Sequence, residues 1–368
     1  MFKWILGIFL VTAGCTGKQS KNSQSIYPGN IIIITTDGFR WQEVFKGMDS
    51  LIAVNSKFNE GDSSYVFKNY WSDDVNKRRK MLMPFLWSTI AENGQIYGNR
   101  EFANMVDNAN PYWFSYPGYN EIFTGYPDTA INSNDYKPNP NITVLEFLNQ
   151  QSKLKGKVAA FCAWNAFDRI LNEQRSGIPV FSGFDSLTGH GVTDNEKLVQ
   201  SMMMDSYKPF LNDECLDVFI QYLALQFLKK NKPMVLYISY GETDEWAHAG
   251  KYRSYLDAAR QVDHWIKEIW DYIQTDSQYK GKTTLFITTD HGRGDDKKEE
   301  WTSHNKKIAD SHEMWFAVIG PGIKAKGEIK ESMHLYQKQF AQTIAKIMGY
   351  TYQANHPIAE EIKSIFNK

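Results

Sequence analysis

The sequence predicts an α/β fold with a mainly parallel central sheet and helices on both faces. Short apolar runs alternate along the chain with segments of helical periodicity, which is the pattern of such folds. Each run is apolar on both faces, as a central strand must be when helices cover both sides of the sheet. The predicted strands are Ile31–Thr36, Val158–Cys162, Met234–Tyr240, Thr284–Thr289 and Trp315–Ile319.

The segments between these strands supply the helices and loops. Apolar residues recur at spacings of three and four in the predicted helices, which are Leu82–Glu92, Thr143–Gln150, Asp213–Lys229, Tyr252–Ile273 and Gln337–Met348. Polar or Pro/Asn-rich stretches predict loops at Asp73–Arg79, Asn132–Asn141 and Asp295–Lys307. Because no internal repeat or linker divides the chain, residues 27–368 are expected to form one domain.

Composition excludes several classes of protein. Of the 368 residues, 42% are hydrophobic and 23% charged, and the formal net charge is −1. Such a chain is neither disordered nor a multispan membrane protein. A near-neutral chain has no overall basic field to hold a nucleic-acid backbone, so duplex nucleic acid is not an expected partner. The function must come from local groups of residues.

The N-terminus resembles an export signal. The apolar run of residues 4–11 follows a lysine and is too short to span a bilayer as a stable helix. Ala13-Gly14-Cys15 resembles the end of a bacterial lipobox, which predicts a signal over residues 1–14, a lipid anchor on Cys15 and a polar tether over residues 15–26. A secretory signal cleaved elsewhere and a retained anchor are the alternatives. The expected location is the periplasm or the cell surface, at a membrane.

The other cysteines, Cys162 and Cys215, are too few for the disulfide framework of a small secreted domain. Neither lies beside a histidine at a metal-ligand spacing. Two buried apolar thiols are therefore expected, although the sequence leaves open whether they pair.

Acidic and imidazole side chains follow the predicted strands. Asp37 ends the first strand, where a helix N-cap is its alternative role. Asp244 and His248 follow the third strand at a spacing of four, which puts both on one face of a helix; a surface pair is the alternative. Open α/β sheets bind ligands at the carboxyl ends of their strands. These side chains are therefore expected to meet at one edge of the sheet.

A stronger pattern follows the fourth strand. Asp290-His291-Gly292 presents a carboxylate and an imidazole side by side, and the glycine lets the chain turn sharply enough for both to reach a metal. His304 and His312 precede the last strand, and either could complete the site. Mixed carboxylate and imidazole ligands without cysteine predict two divalent, zinc-like ions.

Ser115 is the candidate nucleophile. A two-metal site can clamp the attacking and leaving oxygens of a displacement at phosphorus. Ser115 lies just before Pro117-Gly118 and the helix-like stretch Asn120–Thr124. A hydroxyl at a helix start would face a bound phosphate, and a metal would activate it. The alternative is a serine that only caps the helix.

Together these motifs resemble the alkaline phosphatase superfamily over nearly the whole chain after the tether. The motifs are Thr36-Asp37-Gly38, Ser115-Tyr116-Pro117, Asp244 with His248, Asp290-His291-Gly292 and His304. Ser115-Tyr116-Pro117, with Phe123-Thr124-Gly125-Tyr126-Pro127 after it, is most similar to the Thr-Phe-Pro nucleophile motif of the nucleotide pyrophosphatase/phosphodiesterase branch. The resemblance implies an alkaline-phosphatase-like fold. It also implies a metal-dependent hydrolase that forms a phosphoseryl intermediate from small phosphodiesters or nucleotide pyrophosphates, rather than from monoesters.

The resemblance also implies two sets of metal ligands. One zinc would be held by Asp37, Ser115, Asp290 and His291, and the other by Asp244, His248 and the late histidine. His304 is preferred to His312 because the branch places this ligand some way upstream of a Gly-Pro, here Gly320-Pro321. Asn134 is the candidate for the branch's asparagine that binds a phosphoryl oxygen.

Two departures from the superfamily limit the function. Phe167-Asp168-Arg169 keeps the Asp-Arg of monoester-specific relatives but lacks their lysine, which argues against a monoesterase. Tyr119 stands where the Ser/Cys-x-Pro-x-Arg pattern of sulfatases, which is converted to formylglycine, has its arginine. A sulfatase-type hydrolase is the enzymatic alternative. A non-catalytic, lipid-anchored binding protein is the alternative of a different class.

Overall fold

The computed structural model describes Met1, residues 29–187 and residues 191–366. The predicted signal over residues 1–14 and the Cys15 anchor fall outside these residues, apart from Met1. Within them the strands are, in chain order, β1 (Asn30–Thr36), β2 (Gln95–Tyr97), β3 (Asn104–Asp107), β4 (Val158–Cys162), β5 (Val180–Ser182), β6 (Val235–Tyr240), β7 (Thr283–Thr289), β8 (Phe316–Ile319), β9 (Gly327–Glu328) and β10 (Met333–Tyr336).

A mostly parallel sheet of eight strands forms the centre of the fold, in the order β5-β4-β6-β1-β7-β8-β2-β9. β1 pairs in parallel with β6 and β7, and β4 pairs in parallel with β5 and β6. β8 runs antiparallel to both β7 and β2. A separate pair, β3 and β10, is parallel. The predicted α/β fold class is confirmed, and all five predicted strands are present within one residue of their predicted ends.

The central strand β1 shows why the sheet is covered on both sides. Ile32 and Ile34 pack into one hydrophobic core, which includes the helix Tyr252–Thr275. Ile31 and Ile33 point the other way, into a core with the helices that begin at Ser115 and Phe340. Since alternate side chains of a strand face opposite sides, an apolar run on both faces needs two helical layers.

Helices cover both faces of this sheet. The α-helices are Trp41–Lys46, Ser50–Val54, Ser63–Tyr70, Val75–Leu82, Ala91–Asn93, Ser115–Thr124, Val144–Gln150, Phe167–Ile170, Glu173–Ser176, Asp194–Asp205, Asp217–Asn231, Glu242–His248, Tyr252–Thr275 and Phe340–Ile347. Shorter 3₁₀ turns lie at Arg100–Phe102, Lys298–Thr302, Ala309–His312, Gln337–Gln339 and Lys363–Phe366, and a π-helical turn at Leu86–Ile90. None of the helices in the described residues combines the length and apolar character needed to cross a membrane.

Two predictions of local structure were wrong. The loop predicted at Asp73–Arg79 is the start of the helix Val75–Leu82, because the Asp74 carboxylate accepts hydrogen bonds from the first backbone amides, as an N-cap does. The single helix predicted at Leu82–Glu92 is interrupted. It continues only as the π-helical turn and a short α-helix after the Met83-Pro84 break, where proline cannot continue a helical hydrogen-bond ladder.

Cys162 and Cys215 are both buried, as expected, and both are free thiols in the described part of the chain. Cys162 ends β4 and belongs to the core on one side of the sheet, whereas Cys215 belongs to the core on the other side. Burial raises the pKa of both thiols well above the usual value. They therefore act as small apolar side chains.

Asp263 ties the longest helix to the π-helical turn, and its loss should destabilise the fold. Its two carboxylate oxygens accept hydrogen bonds from the backbone amides of Phe85 at 2.7 Å and Leu86 at 2.9 Å. Asp263→Ala leaves two buried donors unpaired, so we expect the free energy of unfolding to fall by about 2–4 kcal/mol. Urea denaturation measures this loss. Asp263→Asn keeps one acceptor oxygen, so its free energy of unfolding should fall less. Equal stability of the wild type and both variants would contradict this role of Asp263.

Candidate active site

The predicted site residues gather at one edge of the sheet. Asp37 follows β1 directly, Asp290 follows β7, and Asp244 lies on the helix Glu242–His248 after β6. His304 precedes β8. Because β8 is antiparallel to β7, the segment before β8 lies at the edge where β1, β6 and β7 end. The reversed direction of β8 therefore places His304 beside the carboxylates.

A first group consists of Asp37, Ser115, Asp290 and His291. His291 Nε2 lies 3.3 Å from Asp37 Oδ1 and 3.4 Å from Asp290 Oδ2. Ser115 Oγ lies 3.5 Å from both Asp37 Oδ1 and His291 Nε2. All four side chains are buried. Carboxylate and imidazole atoms of three of these residues converge closely enough to share one cation.

A second group consists of Asp244, His248 and His304. On their helix, Asp244 Oδ2 and His248 Nε2 are 3.0 Å apart, as their spacing of four allows. His304 Nε2 lies 2.9 Å from His248 Nε2 and 3.7 Å from Asp244 Oδ1. The two groups adjoin, since His291 Nε2 is 3.8 Å from Asp244 Oδ1.

His312, the other possible late ligand, lies elsewhere. Its Nδ1 is 2.7 Å from the Ala309 carbonyl oxygen, and its Nε2 is 3.9 Å from Asp107 Oδ2. Its ring packs beside that of Trp113. The structure therefore groups His304, and not His312, with Asp244 and His248.

Backbone carbonyls fix the tautomers of two histidines in the form that a metal ligand needs. His291 Nδ1 donates to the Gly292 carbonyl at 2.9 Å, and His304 Nδ1 donates to the Trp113 carbonyl at 3.3 Å. A carbonyl can only accept, so each Nδ1 carries the proton. Each Nε2 faces the carboxylates and, once it has lost its proton, can offer its lone pair to a metal, which is the usual arrangement of metal-bound histidine.

A buried carboxylate oxygen without a hydrogen-bond partner also fits a cation. Asp290 Oδ2 is buried and has no hydrogen-bond partner in the described part of the chain, whereas Asp290 Oδ1 accepts from the Gly38 amide at 3.0 Å. Gly38 has a left-handed backbone (φ 55°), and a Cβ there would lie 2.3 Å from Asp244 Oδ1. Buried carboxylate oxygens are normally paired or bound to metal, so this donor set fits a divalent ion.

Charge crowding shifts the titration of the same groups. Burial and the neighbouring Asp37 raise the pKa of Asp290 well above its usual value. Burial lowers the pKa of His291, but Asp290 and Asp37 outweigh it and raise that pKa to about 9. A proton on Nε2 competes with a metal for the same lone pair, so metal binding here should release protons.

Ser115 is the first residue of its helix and does not cap it. The helix spans Ser115–Thr124 and so begins before Asn120, the predicted start. Pro117 is tolerated in its first turn because an amide proton there would have no acceptor within the helix, so proline loses no hydrogen bond. The N-cap residue is Phe114, and the Tyr116 amide donates to Asn134 Oδ1 at 2.9 Å. Asn134 therefore satisfies this helix end, and the Ser115 hydroxyl remains directed at Asp37 and His291.

Two residues that contact the predicted metal ligands were not assigned to the site from the sequence. Arg293, buried directly after Asp290-His291-Gly292, donates to both the carbonyl and the carboxylate of Asp244. Burial raises the pKa of Asp244, but Arg293, His248 and His304 together outweigh it and hold that pKa well below its usual value. Tyr119, noted only as a departure from the sulfatase pattern, donates its hydroxyl to Asp37 Oδ2 at 2.9 Å. The position of Arg293 directly after the Asp290-His291-Gly292 motif was the one sequence feature that could have indicated its place in the site.

Gly292 is needed for a different reason from the one predicted. Its φ lies outside the left-handed region. Instead, a Cβ at this position would lie 2.3 Å from the Glu313 carbonyl oxygen. The glycine thus permits the close approach of two backbone segments beside His291, rather than a sharp turn.

Comparisons with known proteins agree with this fold. Residues 194–351 match the model of the Metalloenzyme superfamily; this stretch includes Asp244, His248, Asp290, His291 and His304, but neither Asp37 nor Ser115. No curated protein sequence matches the chain significantly.

Solved structures resemble the chain at low sequence identity. Alkaline phosphatase PafA has a TM-score of 0.59 at 9% identity, over 92% of this chain and 98% of that chain. A putative sulfatase from Bacteroides thetaiotaomicron has a TM-score of 0.58 at 13% identity, over 92% and 75%. The lipoteichoic acid synthase LtaP from Listeria monocytogenes has a TM-score of 0.50 at 12% identity, over 88% and 72%. The chain therefore has the alkaline-phosphatase-like fold, and its residues 194–351 match the Metalloenzyme superfamily.

Proposed function

We propose that the protein is a two-metal hydrolase of phosphate esters, with Ser115 as its nucleophile. The observation that carries this proposal is the position of Ser115 Oγ, 3.5 Å from both Asp37 Oδ1 and His291 Nε2 and not used as a helix cap. A serine hydroxyl needs an activating group to attack phosphorus. Here the hydroxyl lies beside the donor set that suits a divalent cation.

Two zinc-like ions would be held by the two groups of side chains. Asp37, Ser115, Asp290 and His291 would hold one, and Asp244, His248 and His304 the other. When bound, such ions lower the energy needed to deprotonate the nucleophile and stabilise negative charge on the phosphoryl group and the leaving oxygen.

The protein's own residues define the remaining chemistry. Ser115 Oγ forms a bond to phosphorus as the bond from phosphorus to the leaving oxygen breaks, which leaves the phosphoryl group and its remaining ester on Ser115. Water then cleaves the Ser115 ester and regenerates the hydroxyl. Asn134, beside the nucleophile, can donate its amide Nδ2 to a phosphoryl oxygen while its Oδ1 stays on Tyr116. Two in-line displacements give net retention at phosphorus.

A substrate with two groups on phosphorus fits the surroundings of Ser115. A cavity of about 400 Å³ adjoins Phe114, the residue before the nucleophile; its other lining residues are Tyr112, Asn132, Asn305, Lys306 and Lys307. Its aromatic rings suit a planar group and its lysines suit further negative charge. Arg169, which belongs to the Asp-Arg pair of monoester-specific relatives, donates instead to the Tyr136 carbonyl at 2.9 Å. Both features favour a phosphodiester or nucleotide pyrophosphate over a monoester.

A panel of p-nitrophenyl esters tests this function. We expect kcat/KM to be highest for the p-nitrophenyl ester of thymidine 5′-phosphate, lower for p-nitrophenyl phosphate and lowest for p-nitrophenyl sulfate. The Ser115→Ala variant is the matched control for contaminating activity. Preference for the sulfate would favour the sulfatase-type alternative. Metal binding without hydrolysis of any ester would favour the non-catalytic binding protein.

We also infer that the protein is exported and held at a membrane by lipid on Cys15. Cys15→Ser removes the acceptor for the acyl chains, so we expect the variant to move from the membrane fraction to the soluble fraction. Membrane fractionation of the producing cells, with Cys162→Ser as the matched control, measures this. If Cys15→Ser stays in the membrane fraction as the wild type does, residues 4–14 are the anchor instead.

A further inference from the structure

The edge of the sheet opposite the candidate active site is rich in lysine. β4, β6 and β7 begin at this edge, and the antiparallel β8 ends there. Each connection at these strand ends carries at least two lysines. They are Lys153, Lys155 and Lys157 before β4, Lys229, Lys230 and Lys232 before β6, Lys280 and Lys282 before β7, and Lys324 and Lys326 after β8. All are exposed except Lys232, which is half-buried. We call this set the basic edge.

The lysines of separate connections come together in space. A cavity of about 670 Å³ opens at this edge, and Lys157, Lys232 and Lys282 all line it. Gly29 and Asn30, at the start of β1, line the same cavity. Thus three connections and the beginning of the described domain share one patch of surface.

Few carboxylates offset this charge. Lys230 pairs with Glu196, and Lys232 pairs with Asp276. Within the described part of the chain, Lys153, Lys155, Lys157, Lys280 and Lys324 make no ion pair, and Lys282 and Lys326 donate only to backbone carbonyls. Because the whole chain has a formal net charge of −1, this patch is a local segregation of positive charge.

We propose that the basic edge docks on the anionic headgroups of a phospholipid bilayer. The headgroups carry the complementary charge, and clusters of several lysines are attracted to such surfaces. The described chain begins at Gly29 on this same edge, so the predicted Cys15 anchor would be attached to the domain on this side. A lipid chain and a basic patch together hold a protein at a membrane far better than either alone.

This docking sets the orientation of the candidate active site. β1 runs from the basic edge to Asp37, and its seven residues span roughly 20 Å at about 3.3 Å per residue. The site therefore faces away from the bilayer, towards substrates in the aqueous phase. The inference goes beyond the proposed hydrolase function and does not depend on it.

Vesicle binding tests the proposal in the full chain carrying Cys15→Ser, so that no acyl chain contributes. One variant adds Lys155→Gln, Lys157→Gln and Lys280→Gln. The matched control adds Lys68→Gln, Lys77→Gln and Lys80→Gln, three exposed lysines on the helices Ser63–Tyr70 and Val75–Leu82. Partition coefficients are measured with phosphatidylcholine vesicles with and without phosphatidylglycerol. Any contribution of the N-terminal segment is the same in both variants and cancels.

We expect the basic-edge variant to lose about a hundredfold in partition to the anionic vesicles, since each lysine near such a surface contributes about fivefold. The control variant should lose little, and neither should change binding to neutral vesicles. Added salt should weaken binding of the unsubstituted chain to anionic vesicles; this readout needs no lysine variant to fold. Equal partition of the two variants, or salt-independent binding, would overturn the proposal. The proposal would also be overturned if the basic-edge variant lost binding to heparin but kept its binding to anionic vesicles. That result would indicate a soluble polyanion as the partner.

Discussion

Ser115→Ala should lower kcat for phosphodiester hydrolysis by about a thousandfold or more, the size of effect seen when a serine nucleophile is removed. Alanine lacks the oxygen that attacks phosphorus, and no other hydroxyl is placed 3.5 Å from both Asp37 and His291 among the described contacts. Initial rates with the diester of the ester panel measure the change. The variant should fold normally and bind both ions, because carboxylates and imidazoles supply most of the ligands.

Ser115→Thr is the conservative control for this prediction. It keeps the hydroxyl and adds one methyl group, so we expect partial activity. The nucleophile assignment fails if Ser115→Ala retains activity within about tenfold of the wild type, which corresponds to about 1.4 kcal/mol of barrier. In that case water would attack phosphorus directly.

Removal of a metal ligand should have the next largest effect. We expect the wild-type protein to bind about two zinc-like ions per chain, and His291→Ala or Asp244→Ala to bind fewer, with activity reduced by at least about a hundredfold. Each substitution deletes an atom on which other site residues converge. Elemental analysis of the dialysed proteins gives the stoichiometry.

His312→Ala is the matched control for the metal prediction. It removes an imidazole from the same chain segment as His304, but from a position beside Asp107. This variant should keep both ions and most of the activity. A metal-free wild-type protein with full hydrolytic activity would contradict the two-metal mechanism.

The parts of the fold that the sequence predicted well are those buried on both faces. Ile31–Thr36 and the other central strands are apolar throughout, and burial between two helical layers requires that pattern. β2, β5 and β9 were not predicted, because each has only two or three residues, too few to show a period. The antiparallel direction of β8 was not predicted either, since an apolar run carries no sign of its direction.

The candidate site was predictable where a motif placed residues next to a strand end. Asp37, Asp244 and Asp290 each follow a strand of the predicted sheet, and so they meet at its edge. Arg293 and Tyr119 could not be assigned in this way, because their contacts with Asp244 and Asp37 depend on side-chain packing between distant segments. The basic edge was hidden in the near-neutral composition and became apparent only once the strand order was known.

The most direct test of the central claim is the mass of the peptide that contains Ser115 after rapid acid quenching during turnover of a phosphodiester. The mechanism predicts a fraction of this peptide heavier by the phosphoryl group with its remaining ester, and Ser115→Ala should not show it. A formylglycine at Ser115 would contradict the account and identify a sulfatase-type enzyme. An unmodified serine at every quench time, together with inversion at phosphorus, would also contradict it.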